Sequence, residues 1–341
     1  MAFLQSRGLS AANKPRVAFL GPLGSFSHEV RNVPAAVASF GKQAVLLPQT
    51  SFQDAFALLQ ANEADYASIP LENSSNGAVV QTLDLLADRK GHYSDITVCG
   101  EYYLSVHHCL LVKKGSEGGK SPEIPEDITI DPRYKSITKL YTHPQAWGQC
   151  ENFLSKHFKG IERQDVSSTS KAAEIVSKEQ GNHTAAIANK FAAEYHGLDI
   201  LAQNIEDDPE NTTRFLLLRN IRSNGAADGD VSPEDADQAE RKTSRKTLIS
   251  FIIDHSAPGA LADALFIFKK FGMNLTTINS RPGGVRPWQY IFFVECQASA
   301  QPHNDQTIER IMEELRQATV ASRHLGSWND MLGSSQIIIG Q

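Results

Sequence analysis

The chain has 341 residues, of which 41% are hydrophobic and 21% charged, a composition typical of a soluble globular protein with two or three domains. Its formal net charge of −6 argues against nucleic acid or an anionic membrane surface as the main partner. No stretch reaches the roughly 18 apolar residues of a membrane span, and the first residues do not resemble a secretory signal. Four scattered cysteines favour buried thiols over disulfides or a metal site. A cytoplasmic location is therefore expected.

Short apolar strands alternate with helical segments through the first two-thirds of the chain. Strands are predicted at 16–20, 44–47, 66–69, 96–99, 106–112, near 161 and at 185–188. Helices are predicted from Ser51, where Ser51 and Asp54 have capping spacing, over 78–86, from Pro144 and from Ser168. The alternation predicts an α/β fold with largely parallel sheets. A second lobe is expected to run from about 95 to about 190.

Residues 221–245 contain Ser, Gly, Pro and charged residues and almost nothing large and apolar, so they are predicted to form a flexible linker. A β-α-β-β-α-β pattern follows, which is the ferredoxin-like arrangement. Its strands are predicted at 247–253, 275–280, 289–295 and, weakly, 324–328, with helices at 260–271 and 307–318. A small unit with a partly uncovered sheet often pairs with a copy of itself, so a homodimer or homotetramer is expected.

Several polar segments fall at strand-to-helix positions, where open α/β sheets place ligands. The turn at 21–27 offers backbone N–H groups and the hydroxyl of Ser25. The segment 70–77 brings Glu72, Asn73 and Ser74 to a helix start, and Ser168 and Thr169 precede another helix. Each segment alone also fits an ordinary connector or helix cap. His143, ahead of a helix, is either a general acid or, as we favour, a hydrogen-bonded structural residue.

The run Asn211-Thr212-Thr213-Arg214-Phe215, followed by three leucines, indicates a buried strand with a hydroxyl and a guanidinium at its mouth. A hydroxyl donates a hydrogen bond without carrying charge, and a guanidinium forms a forked clamp for a carboxylate. The sequence contains no GxGxxG, Walker, HExxH or Gly-x-Ser-x-Gly motif. The pattern therefore predicts a cleft for a small dicarboxylate, with no cofactor and no metal.

Taken in order, these segments resemble the prephenate dehydratase family. The resemblance rests on Gly21-Pro22, Gly24 and Phe26; Glu72-Asn73-Ser74 and Gly77; 82–86; His143-Pro144-Gln145-Ala146; Gln149-Cys150; Ser168-Thr169; and Asn211 with Thr213-Arg214-Phe215. The C-terminal pattern resembles an ACT regulatory domain. Two segments match the places where that family binds phenylalanine, Gly259-Ala260-Leu261 and Asn279-Ser280-Arg281-Pro282. The expected domains are a catalytic domain at 16–220, a linker at 221–245 and an ACT domain at 246–335.

The resemblance implies a two-lobed catalytic domain similar to periplasmic binding proteins. It implies an enzyme that converts prephenate to phenylpyruvate, carbon dioxide and water in phenylalanine biosynthesis, without a cofactor. By the same resemblance, Thr213 donates or relays a proton, Arg214 lies close to a substrate carboxylate, and Phe215 completes the catalytic motif. The cleft would be lined by Ser25, Glu72, Asn73, Ser74, Ser168 and Thr169. L-phenylalanine is the expected feedback effector, bound between ACT domains of neighbouring subunits.

This chain departs from the family pattern at two positions. Ser25 stands where the family usually has Thr, which keeps the hydroxyl. Asn279 stands where the effector motif usually begins with Glu, so the affinity or coupling of the effector is open. Two alternatives remain open as well: an arogenate dehydratase, which acts on the transaminated substrate, and a non-catalytic binding protein that senses amino acids.

Overall fold

The computed structural model describes residues 14–25, 44–115, 127–223, 244–284, 286–298 and 305–332. Phe26 of the glycine turn, most of the predicted linker and residues 333–335 lie outside them. In the first part of the chain the strands are β1 (Arg16–Leu20), β2 (Val45–Gln49), β3 (Tyr66–Asn73), β4 (Gly77–Ala78), β5 (Ile96–Ser105), β6 (Cys109–Lys113), β7 (Lys139–Thr142), β8 (Glu162–Asp165), β9 (Thr184–Ala188), β10 (Leu198–Gln203) and β11 (Thr212–Asn220). The helices there are α1 (Phe52–Gln60), α2 (Val80–Ala87), α3 (Pro132–Ser136), α4 (Pro144–Gln149), α5 (Glu151–His157), α6 (Thr169–Lys178) and α7 (Lys190–His196), with a short 3₁₀ turn at Ile128–Ile130.

Two helix starts show how local sequence sets these bounds. The hydroxyl of Ser51 accepts a hydrogen bond from the N–H of Asp54, so the predicted cap of α1 is confirmed. Helix α2 begins at Val80, two residues later than predicted. The reason is that Gly77 and Ala78 form β4 and pair with β3 before the chain can turn into the helix.

The strands form two mixed sheets, so the prediction of largely parallel sheets is wrong. In the first sheet β1 pairs with β2 and β3 in parallel, whereas β11 runs antiparallel to both β3 and β5. The second sheet has the order β10-β6-β9-β7-β8 and also combines both pairings. The antiparallel pairings arise because β11 returns from the second lobe and lies between β3 and β5, and because β10 pairs with β6. We call β1–β5, β11 and their helices the first lobe, and β6–β10 with α3–α7 the second lobe.

The second lobe is shifted along the chain relative to its predicted bounds. Strand β5 was expected to open this lobe, but it pairs along its whole length with β11 of the first sheet. It belongs there because Ile96 and Val98 pack into one core of the first lobe and Tyr102 and Leu104 into another. The second sheet starts instead at β6 and ends with β10 at Gln203.

The C-terminal unit comprises β12 (Arg245–Ile252), α8 (Ala260–Lys270), β13 (Met273–Pro282), β14 (Tyr290–Ala298), α9 (Asp305–Ala318) and β15 (Ala321–Asn329), in the predicted order. The last strand, expected to be weak, pairs with β12 over its whole length. Its other side meets β5, where Gly326 pairs with Val98, so the unit extends the first sheet to the order β13-β14-β12-β15-β5-β11-β3-β1-β2. Gly326 has a φ of 140°, and a Cβ there would overlap the carbonyl oxygen of Val98. Only glycine allows this approach.

Candidate functional site

A cleft of about 580 Å³ lies between the two lobes. Residues from both lobes line it, a common setting for small-molecule sites. The first lobe contributes Gly21, Ser25, Asn73, Val79, Gln81, Thr213 and Phe215, and the second contributes His143, Gln145, Gln149, Ser168 and Thr169. The structure therefore brings six of the predicted residues to one place: Ser25, Asn73, Ser168, Thr169, Thr213 and Phe215.

The side chain of Asn73 holds the hydroxyl of Thr213 from the end of the neighbouring strand. Its Nδ2 donates to Thr213 Oγ1 at 3.0 Å, to Asn211 Oδ1 at 2.8 Å and to the carbonyl of Thr212 at 3.3 Å. Its Oδ1 accepts from the backbone N–H groups of Ser75 and Asn76. These five contacts fix which end of the amide is the donor, because a flipped amide would oppose like groups at both ends.

This contact decides the direction of the Thr213 hydroxyl. Because Thr213 Oγ1 accepts a hydrogen bond from Asn73, its own hydrogen is left to point elsewhere, and Thr213 lines the cleft. The same N–H of Asn73 stabilises negative charge that develops on Oγ1 when the hydrogen is given away. A neutral hydroxyl and an amide thus form a small, oriented donor pair at the cleft wall.

The opposite wall is built from helix starts of the second lobe. Ser168 is the N-cap of α6, and its hydroxyl accepts from the N–H of Lys171 at 3.0 Å. Thr169 is the first helical residue, buried at the cleft edge. The N-terminus of this ten-residue helix faces the cleft with the positive end of its dipole, which favours an anionic ligand.

The glycine turn closes the cleft from the first lobe and contacts the second lobe directly. Ser170 Oγ donates to the carbonyl of Leu23 at 2.7 Å, and His196 Nε2 lies 3.0 Å from the same hydroxyl. Gly24 has a φ of 86°, and a Cβ there would come within 2.8 Å of Ser170 Oγ. The turn therefore needs glycine for both its backbone conformation and its packing. Ser25 follows, buried, with its hydroxyl donating to the carbonyl of Leu20.

Two histidines reach the cleft from different strand ends. His143 is the N-cap of α4, where its Nδ1 accepts from the N–H of Gln145, and burial lowers the pKa of its imidazole. Both findings agree with the structural role that the sequence favoured. Burial also lowers the pKa of His108, which contacts Gln149 Oε1 through Nε2 at 2.9 Å. Sequence reasoning did not name His108, Gln145 or Gln149 as site residues, although the last two lie in quoted motifs.

Arg214 does not lie in this cleft, which corrects the expectation that it contacts a substrate carboxylate. Successive side chains of a strand point to opposite faces, so Thr213 and Phe215 face the cleft and Arg214 faces away. Phe215 stacks on Tyr102, with 4.9 Å between ring centroids. Glu72 and Ser74 were likewise expected to line the cleft, but they line a separate cavity of about 400 Å³ on the far side, together with Arg214. The hydroxyl of Ser74 accepts from the N–H of Thr212 and so supports the strand end.

A buried ion cluster surrounds Arg214 where the first lobe meets the C-terminal unit. Its Nε donates to Glu101 Oε2 at 2.8 Å, and its terminal nitrogen pairs with Glu295 Oε2 on β14. Lys246 Nζ lies 3.0 Å from Glu101 Oε1 and 2.8 Å from Asp330 Oδ1. Burial opposes the charge on Arg214, but Glu101 and Glu295 outweigh it and raise the pKa of the guanidinium. The cluster is thus a set of mutually paired side chains, with the guanidinium of Arg214 between two buried carboxylates.

One of the two predicted effector segments lies at the start of helix α8, and the other lies at the end of strand β13. Gly259 is the N-cap of α8 with a φ of 85°, followed by Ala260 and Leu261 in the first turn. Asn279, Ser280, Arg281 and Pro282 are the last residues of β13. Arg281 binds both carboxylate oxygens of Asp84 in α2 at 2.9 Å, and Arg89 Nε donates to the carbonyl of Pro282. Arg281 is therefore bound to the first lobe.

The cleft is polar without being cationic. Among the described residues that line it there is no lysine or arginine. Within the same described part of the chain, no group of three or more His, Cys, Asp or Glu residues is placed to hold a metal ion. Nor do those residues include a helix that is long and apolar enough to cross a membrane.

Comparisons with known proteins point to one family. The family model of prephenate dehydratase matches residues 17–223. A bifunctional chorismate mutase/prephenate dehydratase of Stutzerimonas stutzeri is 33% identical over 325 residues, which are 95% of this chain and 76% of the relative. An arogenate dehydratase/prephenate dehydratase of Arabidopsis thaliana is 31% identical, over 95% of this chain and 75% of its own length. The structure of prephenate dehydratase from Arthrobacter aurescens in complex with L-Phe is 27% identical, with a TM-score of 0.71 over 92% of this chain and 90% of that one.

Proposed function

The chain belongs to the prephenate dehydratase family and is an enzyme with that activity, and we propose that the cleft between its lobes binds prephenate with Thr213 as the acid. The single observation that carries this assignment is the hydrogen bond from Asn73 to Thr213 Oγ1, which directs the hydroxyl hydrogen away from Asn73. Ser25, Ser168, Thr169 and Phe215 are proposed to line the substrate site. Glu72, Ser74 and Arg214 support it from behind.

Prephenate is a dianion, so the cleft must hold two carboxylates without a lysine or arginine among its described lining residues. The N-terminus of α6 supplies backbone N–H groups and the positive end of its dipole to one of them. The amides of Gln145 and Gln149 and the hydroxyl of Thr169 supply further uncharged donors. Neutral donors bind the dianion and leave its ring carboxylate free to depart as neutral carbon dioxide.

The chemistry follows from these positions. The bond from the ring to its carboxylate breaks, and the electron pair moves through the diene as the ring becomes aromatic. The bond to the ring hydroxyl breaks at the far end, and that hydroxyl takes a proton from Thr213 and leaves as water. The amide of Asn73 stabilises the oxygen left on Thr213 until solvent returns the proton, so one proton is consumed for each phenylpyruvate formed.

The test is phenylpyruvate formation from prephenate by the purified full chain. Thr213→Ala is expected to lower kcat by roughly 10²–10⁴-fold, the usual worth of a positioned acid. Thr213→Ser keeps the hydroxyl and should retain most of the turnover, which serves as the matched control. Near-normal kcat in Thr213→Ala would remove Thr213 from the role.

Arogenate is the second candidate substrate. The observation that favours including it is the Arabidopsis thaliana relative, whose name carries both activities. The two substrates differ only in a keto or an ammonium group on the side chain. Parallel assays with both compounds decide the preference, and the substrate with the larger kcat/KM is the one that the cleft selects.

The C-terminal unit is proposed to be an ACT regulatory domain that binds L-phenylalanine, separated by the linker from a catalytic domain at about 16–220. Support comes from its β-α-β-β-α-β order, from the segments at Gly259 and at Asn279, and from the related structure in complex with L-Phe. Isothermal titration of the full chain with L-phenylalanine tests this proposal. Absence of binding would contradict the proposed effector site.

Self-association is part of the same proposal. Strand β13 ends the order of the first sheet, and Ile278 on it is half exposed, which suits pairing with a second copy. Light scattering of the purified chain should therefore give a homodimer or homotetramer. A monomer at micromolar concentration would contradict an effector site built between subunits.

A further inference from the structure

The ion cluster around Arg214 lies directly behind the proposed acid, and one of its carboxylates comes from the C-terminal unit. We propose that Arg214 is a positioning residue through which Glu295 of the C-terminal unit holds Thr213 in its working orientation. This inference rests on the proposed role of Thr213. It assigns the arginine a task other than binding substrate.

Arg214 is held in place through both its backbone and its side chain. Arg214 shares a peptide bond with Thr213 and pairs across the sheet with Glu72 on one side and Tyr103 on the other. Its side chain is only 7% exposed, and its two anionic partners are 0% and 1% exposed. Because this guanidinium is buried and binds two carboxylates, it cannot readily exchange either of them for water. A displacement of Glu295 therefore reaches the backbone of β11 next to Thr213.

Glu295 is itself connected to the strand that carries the proposed effector segment. Its second oxygen, Oε1, accepts from Thr276 Oγ1 at 2.6 Å, and Thr276 lies on β13 three residues before Asn279. Hydrogen bonds thus run from β13 through Glu295 to Arg214, and Arg214 is joined to Thr213 by a peptide bond. The two ends of this series of bonds bias one shared element, which is the physical requirement for coupling between sites.

Neutralising one carboxylate of the cluster is a mild way to test its role. In the described chain it holds two cations, Arg214 and Lys246, and three carboxylates, Glu101, Glu295 and Asp330. Glu295→Gln leaves two of each sign, so no net buried charge is created. Arg214 keeps Glu101 as an ionic partner but loses its ion pair with the C-terminal unit.

The experiment measures kcat and KM for prephenate in the full chain carrying Glu295→Gln. Because a positioning residue acts on the transition state, we expect kcat to fall by about 5- to 150-fold, the usual range of coupling between sites, with KM unchanged within about twofold. Glu295→Asp, which keeps the charge, should recover part of the loss and carries the test if the Gln variant does not fold. Glu314→Gln removes an ion pair with Lys270 inside the C-terminal unit and is the control, expected to match the wild type.

The same substitution in the Thr213→Ala background makes the test specific. If Glu295 acts through Thr213, Glu295→Gln should change the residual kcat there by less than about twofold, since groups that act as a unit are not additive. A kcat equal to that of the Glu314→Gln control, an equal loss in both backgrounds, or a loss confined to KM would each overturn the proposal. Near-normal kcat in Thr213→Ala alone would instead refute the acid itself, which is a separate failure.

Discussion

Replacing Asn73 by aspartate changes one atom type and should remove most of the turnover. In the structure Nδ2 of Asn73 donates to three acceptors, Asn211 Oδ1, the carbonyl of Thr212 and Thr213 Oγ1. An ionised carboxylate at this position would place a negative oxygen against all three. Thr213 can relieve its part of that repulsion only by turning its hydrogen towards the carboxylate, which takes the proton away from the cleft.

The expected loss of kcat equals the rate contribution of the positioned acid. A positioned acid is worth about 10²–10⁴-fold in rate, or about 3–5 kcal/mol of barrier at 1.36 kcal/mol for each factor of ten. Asn73→Asp should lose that much kcat while leaving KM within about threefold. The bonds from Ser75 and Asn76 to Oδ1 survive, because a carboxylate oxygen accepts them equally well.

The assay is steady-state formation of phenylpyruvate at saturating prephenate, near pH 7.5. Asn274→Asp, an isosteric change at an exposed position of β13, is the control for added charge and should match the wild type. Thermal unfolding of both variants checks that the protein is folded. A kcat within twofold of the wild type in Asn73→Asp would refute the orienting role of this amide.

Three further changes test other contacts. Arg214→Met should lower the free energy of unfolding in urea by about 3–5 kcal/mol, because Glu101 and Glu295 lose their shared cation; a loss below about 1 kcal/mol would show that the cluster relaxes freely. Arg281 holds the pKa of Asp84 below its ordinary value, so this pair stabilises the fold above that value, about 4, and is lost as the pH falls through the lowered pKa. The unfolding temperature of Asp84→Asn should therefore depend less on pH below about 4 than that of the wild type, and equal slopes would refute the pairing. His143→Asn keeps an N-cap acceptor, so kcat should stay within about threefold, whereas a loss of about 10²-fold would make His143 an acid. Stability of the wild type should also fall as the pH drops from about 6.5 through the lowered pKa of His143. This fall should be smaller in the Asn variant, in which His108, His196 and His324 still contribute.

Much of the cleft could be predicted because its residues sit at helix starts and strand ends, where local sequence is decisive. Ser168 caps α6 as its position ahead of an apolar face suggested, and the run after Asn211 forms the buried strand that its leucines indicated. Arg214 is the exception. It is adjacent to Thr213 in the sequence, so we expected both side chains to lie in the cleft. Side chains alternate between the two faces of a strand, so neighbours along β11 lie on opposite sides of the sheet.

Other features depend on partners distant in the chain, and no local pattern specifies them. Strand β5 reads as a lobe boundary until its pairing with β11, more than a hundred residues later, is known. Glu101 and Glu295 did leave a signal, since each is a carboxylate inside an otherwise apolar strand. Buried carboxylates need a buried partner, but the sequence alone does not identify which cation it is.

The joint between β15 and β5 has a practical consequence for work with fragments. If the chain were cut before β12, the edge of β5 that now meets β15 would face water with its N–H and C=O groups unpaired. Such an edge is a template for pairing with another molecule. The same cut would uncover Arg214 and Glu101, now sealed beneath the C-terminal unit. The catalytic lobes expressed alone should therefore aggregate, and comparing them with the whole enzyme would measure edge exposure as much as relief from regulation.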